Sequence, residues 1–338
     1  MKSMNEFTKV GIVVSAQRER YQILVEEKLV YARLKAASYY VDSNEVEFPT
    51  VGDHVEVMVN EIGDSLITAT LPRKSKFMRA NPTPGMPDQV VAANFDYVFI
   101  VMSLNRDFNL TKLERYLSVA WQSKGKPVVI LSKADLCDDI EEYVQQAQKV
   151  AKQAAVITVS SQTGYGMEKL TPFLQKGKVV VFLGSSGVGK SSLVNALLGE
   201  KVMETKDIRE YDSQGHHTTT YRQSFFINSG AMVIDTPGMR YLHMADAKEG
   251  IEITYDDIEE LTTRCKFSNC SHGSEKGCAV KAAIESGELS EKRWKTYLNL
   301  QREDQYAKQR AEQLARQQMK NKKKYSRKNK EFRKQVAY

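Results

Sequence analysis

The sequence predicts a multidomain chain: an all-β module first, an α/β domain in the centre, and a helical, metal-binding domain last. Three observations predict it. Short β-like runs separated by polar turns fill the stretch before Pro72. From Phe95 onward, apolar strand-like runs alternate with helical patterns. Beyond Gly238 the chain becomes polar and helix-rich, and Cys265, Cys270, His272 and Cys278 crowd into one short window. At 338 residues there is length for two or three separate cores.

In the first module the β-like runs are residues 10–14, 21–25, 29–34, 54–59 and 66–71. Five short strands in so small a unit predict an OB-like Greek-key barrel over residues 1–72, a fold often used on oligonucleotides. Arg18, Arg20, Tyr21, Tyr31 and Arg33 are candidates for a stacking and phosphate-binding face. Taken alone, Tyr21 and Tyr31 read as core or barrel-surface residues rather than as nucleic-acid contacts. A linker over 73–94 follows, and its prolines (Pro82, Pro84, Pro87) argue against regular structure.

The central domain is expected over 95–245. Its first apolar run, 97–102, has the texture of a buried parallel strand. Leu110, Leu113, Leu117, Ala120 and Trp121 then recur at helical spacing, with Thr111-x-x-Glu114 read as a capping box. Strands at 128–131 and 156–159 flank a helix at 140–151. The strand 179–183 leads into a glycine-rich loop, a helix covers 191–198, and strands at 225–227 and 232–234 complete a parallel, doubly wound sheet.

The loop reads Gly184-Ser185-Ser186-Gly187-Val188-Gly189-Lys190-Ser191, with Ser192 following, a complete G-x-x-x-x-G-K-[ST] phosphate loop. Its glycines let backbone N–H groups converge on phosphates at a helix N-terminus. Lys190 is expected to reach the β- and γ-phosphates, and the Ser191 hydroxyl to bind Mg²⁺. Asp235-Thr236-Pro237-Gly238 closes an apolar strand, where Asp235 would hold the metal through water and the Gly238 N–H would sense the γ-phosphate. Between them lies Gly215-His216-His217-Thr218-Thr219-Thr220, and either Thr218 or Thr219 is expected to close the magnesium site.

Ser132-Lys133-Ala134-Asp135 is a variant of N-K-x-D, the guanine-reading element. The Asp135 carboxylate can accept from N1–H and N2–H₂ of guanine, a donor pair that adenine lacks. Bound ATP would leave it unsatisfied at a cost of about 1–3 kcal/mol. Lys133 would cover the base, and Ser132 replaces the usual loop-tying Asn. Ser160-Ser161 fits the loop that contacts the base oxygen. The base-reading element thus precedes the phosphate loop, the reverse of ordinary GTPases. That order is what a circularly permuted P-loop GTPase domain would show.

Cys265-x₄-Cys270-x-His272-x₅-Cys278 offers three thiolates and an imidazole, a closed set suited to one structural Zn²⁺ in a domain expected over 246–315. Cys137 reads as a packed thiol. The net charge is +7, but the tail from Arg316 to the end carries +9, leaving −2 for the rest. That tail, 316–338, reads as a nucleic-acid-contacting arm. Four cysteines with no secretory signal and no bilayer-length apolar run predict a cytoplasmic protein without membrane contact.

On the permuted order, the Gly215–Thr220 motif, Asp235–Gly238 and the Cys/His spacing, the sequence resembles the ribosome small-subunit-dependent GTPase A family (RsgA, also called YjeQ or YloQ). The resemblance covers essentially the whole chain. It implies an OB domain, a permuted GTPase domain and a zinc domain. It further implies GTP hydrolysis to GDP, stimulated by the small (30S) ribosomal subunit whose late maturation the family assists. The partners implied are that subunit, its 16S rRNA and GTP/GDP, and a monomer is expected. Met239 stands where small GTPases carry a water-orienting Gln, and the resemblance points instead to His217, with His216 as the alternative. An RNA-binding scaffold with an incidental nucleotide, or an ATP-driven RNA remodeller, are the competing readings; Asp135 argues against the second.

Overall fold

Alternating burial along the first strands shows how the barrel forms. The computed structural model describes residues 8–17, 20–39, 48–79, 81, 88–105, 108–200, 222–235, 247–273 and 275–336. Strands β1 (Thr8–Gln17), β2 (Arg20–Val25), β3 (Lys28–Leu34), β4 (His54–Met58) and β5 (Ser65–Thr70) turn Val13, Tyr21, Ile23, Val25, Ala32, Val55, Val57 and Ile67 inward. The short helix α1 (Ala36–Tyr39) adds Tyr39 to that core. Antiparallel pairs β1–β2, β2–β3, β4–β5 and β1–β4, with the parallel pair β3–β5, close the five strands into a barrel. Closure leaves none of the five with two free edges to protect.

The stretch expected as a linker contains two short strands that pair with each other, β6 (Lys76–Arg79) and β7 (Gln89–Ala93). The proline-bearing residues 82–87 between them lie outside the described residues. Side chains around these strands explain their order. Arg73 forms a buried two-pronged pair with Asp53, Nε to Oδ1 at 2.7 Å and Nη2 to Oδ2 at 2.6 Å. Asn94 donates to the Gly52 carbonyl at 3.1 Å and accepts from the Lys74 amide at 2.9 Å. The Phe77 and Phe95 rings stack at 4.7 Å. Polar bonds with good geometry therefore tie this stretch to the barrel where sequence showed only prolines and charge.

Beyond it, β8 (Tyr97–Ser103), α2 (Leu110–Gln122), β9 (Lys126–Ser132), α3 (Ile140–Val150), β10 (Ala155–Thr158), β11 (Val179–Leu183) and α4 (Lys190–Leu198) alternate as predicted. The hairpin of β12 (Arg222–Phe226) and β13 (Met232–Asp235) completes the sheet in the order β10-β9-β8-β11-β13-β12. All neighbours are parallel except β12, which runs antiparallel to β13. Phe99, Val101, Ile130, Val180, Phe182, Leu193 and Val233 pack in its core, with Phe99 edge-on to Phe182 at 5.5 Å. The capping-box reading of α2 is corrected. Asn109 is the N-cap, its side chain accepting from the Lys112 amide at 3.1 Å, while Glu114 is a buried residue inside the helix. An Asn two residues earlier outcompeted Thr111 because it sits where the backbone is still extended.

The outer edge of β12 pairs antiparallel with β1, placing Ser15 opposite Gln223 and Ala16 opposite Arg222. The Ser224 hydroxyl also donates to the Val14 carbonyl at 3.0 Å. Barrel and GTPase-type strands therefore belong to one continuous hydrogen-bonded sheet of eleven strands.

Backbone contacts divide the chain into two compact units, Met1–Met78 with Val90–Leu242, and Arg79–Gln89 with His243–Tyr338. In the second unit, α5 (Lys248–Thr254), α6 (Asp256–Thr263), α7 (Ala279–Glu285) and α8 (Glu291–Val336) pack around Tyr255, Ile258, Val280, Trp294, Tyr297 and Leu300. The buried Asp304 accepts from the Ala247 amide at 2.6 Å and so fixes the approach to α5. Helix α8 runs unbroken for 46 residues through the basic tail, a rise of roughly 69 Å. Its sequence contains no Gly or Pro, and pairs such as Glu291–Lys295, Asp304–Lys308 and Glu312–Arg316 fall at helical spacing. Among the described residues no helix is long and apolar enough to cross a membrane.

Candidate functional site

Strand β11 delivers the glycine-rich loop at its C-terminal end, and α4 begins inside the motif at Lys190. Gly184 has φ +155, and a Cβ there would lie 2.5 Å from the Val101 carbonyl oxygen of β8. Only glycine lets the loop leave the sheet this close to its neighbour. Gly187 and Gly189 also adopt positive φ, which turns the chain back into the helix start. The Lys190 ammonium donates to the Gly184 and Ser185 carbonyls at 2.7 and 2.6 Å, so it crosses the mouth of the loop. Ser186 and Gly187 are exposed, Ser185, Gly189, Lys190, Ser191 and Ser192 are half-buried, and Val188 is buried in the sheet core.

The base-reading element lies beside this loop although 56 residues separate Ser132 from Val188 in sequence. The buried Ser132 hydroxyl lies 2.6 Å from the Val188 carbonyl and 3.2 Å from that of Met102. A hydroxyl has one proton, so the shorter contact is the main bond, and it ties the end of β9 to the phosphate loop. Lys133 sits at φ +60 and Ala134 donates its amide to the Val159 carbonyl at 3.2 Å. The Ser160 hydroxyl donates to Asp135 Oδ1 at 2.5 Å, joining the two base loops at the ends of β9 and β10. Ser161 is half-buried next to it.

Asp235 ends β13, whose Ile234 pairs with Val181 of β11, so its backbone lies at the same end of the sheet as the loop. His216, His217, Thr218, Thr219, Thr220, Gly238 and Met239 lie outside the described residues. One contact escaped the sequence reading. The Tyr116 hydroxyl on α2 lies 3.4 Å from that of Ser185, and helical spacing alone marked that position as ordinary.

In the second unit, Cys265, Cys270, His272 and Cys278 bring their ligand atoms within 4.8 Å of one another. His272 Nδ1 lies 3.5 Å from Cys265 Sγ and 3.6 Å from Cys278 Sγ, and those two sulfurs are 3.9 Å apart. A tetrahedron with metal–sulfur bonds near 2.3 Å has edges of about 3.8 Å, so the donor set fits a tetrahedral N/S-ligated ion. The His272 amide favours the Cys270 thiolate, but desolvation and the Cys278 and Cys265 sulfurs outweigh it and push Cys270 up to about 11. Three sulfurs this close ionise together only with a cation among them. The Glu275 carboxyl is held at about 2 by the Ser271 hydroxyl, the Ser271 amide and neighbouring backbone N–H groups.

On the barrel, the expected aromatic face divides. Tyr21 is buried in the barrel core, whereas Tyr31 is exposed, with the Arg20 guanidinium 3.9 Å from its ring centre. Arg20 and Arg33 both donate to Asp64, at 2.8 and 2.7 Å. Period-2 alternation separates the two tyrosines: Tyr21 is on the inward register and Tyr31 on the outward one. Arg18 lies outside the described residues.

The family model for the RsgA GTPase matches residues 70–245. A model for the ABC transporter family matches 167–336, a span that includes the strand, phosphate loop and helix common to many nucleotide-binding proteins. Whole-chain relatives decide between them. The small ribosomal subunit biogenesis GTPase RsgA 1 of Listeria monocytogenes is 44% identical over 296 residues, 88% of this chain and 84% of its own. The RsgA of Methanosarcina acetivorans is 38% identical, covering 86% and 78%. Among solved structures, YjeQ from Thermotoga maritima aligns with a TM-score of 0.63 at 28% identity, over 87% of this chain and 97% of that one. YloQ, a circularly permuted GTPase, shares the fold with a TM-score of 0.61 at 24% identity, over 91% and 98%. With barrel, permuted sheet and Cys/His cluster all in place, the chain belongs to the RsgA GTPase family.

Proposed function

We propose that this protein binds GTP between its base loops and phosphate loop and hydrolyses it in the service of small ribosomal subunit biogenesis. The supporting observation is the bond from Ser132 to Val188, which joins a base-reading element and a phosphate loop written in reverse order in the chain. In this reading Asp135 accepts the guanine donors, Lys133 covers the base, and Ser160 orients the Asp135 carboxylate. Backbone amides of Ser185–Ser192 and the Lys190 ammonium hold the phosphates. Ser191, Asp235 and one of Thr218 or Thr219 are the residues that would hold magnesium, which would supply charge neutralisation at the phosphates. Gly238 contacts the γ-phosphate. With Met239 unable to orient water, His217 positions the attacking water for in-line displacement, and the subunit completes the site.

The cluster Cys265, Cys270, His272 and Cys278 holds one structural zinc ion, a role in keeping with a set that leaves no open position. The partner is the small (30S) subunit, met through 16S rRNA by the basic part of α8 and by Arg20, Tyr31 and Arg33 on the barrel. The protein acts as a cytoplasmic monomer.

A GTPase assay titrated with purified small and large subunits tests this reading. Small subunits alone should stimulate turnover, and stimulation by neither subunit overturns the proposal. His217→Ala should lower the stimulated rate under saturating GTP about 10²–10⁴-fold while GTP affinity holds. If only His216→Ala does so, the two histidines exchange roles.

A further inference from the structure

We propose that Glu275 is a positioning residue of the metal centre: its carboxylate staples the turn that presents the His272 imidazole to the three sulfurs. The proposal rests on reading Cys265, Cys270, His272 and Cys278 as a metal centre. His272 is the one ligand in a disfavoured backbone conformation, with φ +58, a region that non-glycine residues rarely enter without support. Glu275 provides bonds on both sides of it. Oε1 accepts from the Ser271 amide at 2.9 Å and from the Ser271 hydroxyl at 2.5 Å, and Oε2 accepts from the Gly273 amide at 2.9 Å. The residues before and after the histidine are thus held by one side chain.

The ring itself is fixed from the other direction. It meets Trp294 of α8 edge-on, with centroids 5.5 Å apart and planes at 81°. Backbone clamp and aromatic contact together direct Nδ1 towards Cys265 and Cys278. A carboxylate so near a cation is a potential competing ligand. Here both oxygens are engaged with backbone and hydroxyl donors, and the ligand-atom cluster comprises only the four Cys and His residues. Outer partners of this kind act by orienting a ligand, and their loss commonly weakens metal affinity about 10–100-fold.

The test uses the full-length protein loaded with zinc or cobalt, and the variants E275A, E275Q and S271A. E275A should bind zinc about 10–100-fold more weakly in competition with a chromogenic chelator. Its cobalt form should show shifted visible bands, because the imidazole leaves its place in the tetrahedron. E275Q, which keeps the shape but offers one acceptor oxygen, should fall between E275A and the unaltered protein. S271A, which loses only the hydroxyl bond, should move in the same direction by less. Unchanged zinc competition and an unchanged cobalt spectrum in E275A overturn the proposal. If E275A does not fold, unchanged values in both E275Q and S271A overturn it equally. An unaltered protein that takes up neither metal removes the metal centre itself, a result distinct from variants that bind as it does.

Discussion

At the phosphate loop, the groups proposed to meet the nucleotide are mainly backbone amides carried at the ends of buried strands. At the Cys265–Cys278 cluster they are side chains carried on a loop in which, among the described residues, only Cys278 is buried. Val101, Phe182 and Val188 of the phosphate loop and its flanking strands share one core cluster, so the loop's shape is set by the same core that sets the sheet. The cluster lies on a mostly exposed loop, and its shape comes from its ligands and from clamps such as Glu275 on Ser271 and Gly273. One site is preorganised by the fold, whereas the other helps to make the fold. Structural metal sites on short loops commonly carry folding energy in this way, even beside a packed core.

The largest test of that contrast is removal of a zinc ligand. Cys270→Ser should abolish stoichiometric zinc and loosen the 247–336 region, since structural zinc sites carry apparent energies of about 10–16 kcal/mol. Hydrogen exchange resolved by segment should show protection lost there, with GTP affinity retained. A parallel fall in GTP affinity would break the contrast. Next in size is Asp135→Asn, which places a donor where guanine also donates. GTP binding should weaken by about 1–3 kcal/mol, with xanthine nucleotides gaining, and zinc content should not change. Calorimetry with GTP, XTP and ATP reads this, and equal affinity of the unaltered protein for ATP and GTP would remove the base-reading role. The smallest is Ser132→Ala, which deprives the buried Val188 carbonyl of its 2.6 Å donor. GTP affinity should drop by about 1 kcal/mol, roughly five-fold, through a looser loop. If the drop is absent, loop geometry is held by the strands alone, which would sharpen the contrast.

Much of this architecture was written locally in the chain. The five barrel strands fall within a few residues of their predicted places because inward Ile23, Val25, Val55, Val57 and Ile67 keep a strict two-residue period. The phosphate loop, the base loops and the cysteine cluster were legible because each needs particular residue types at fixed spacing. What local reading missed depends on partners distant in sequence. Arg73 gains its place through Asp53, and Asn94 through Gly52 and Lys74, so β6 and β7 carried no period of their own. Tyr116 lies within the helical pattern of α2, and only the fold places Ser185 opposite it. Glu275 lies between two ligands in sequence, and nothing in its spacing shows that three donors turn towards it. The basic tail adds no break of its own: with no helix breaker from Glu291 to Val336, α8 continues through it.

Strand β12 is bordered by β13 on one side and by β1 on the other. A fragment begun after the barrel would strip away β1 and bare a row of N–H and C=O groups beside the half-exposed Phe226. Naked, apolar edges of this kind recruit other chains into intermolecular sheets. The barrel is therefore also the molecule's own protection against self-association, and shortening the chain from its N-terminus trades a missing module for an aggregation hazard.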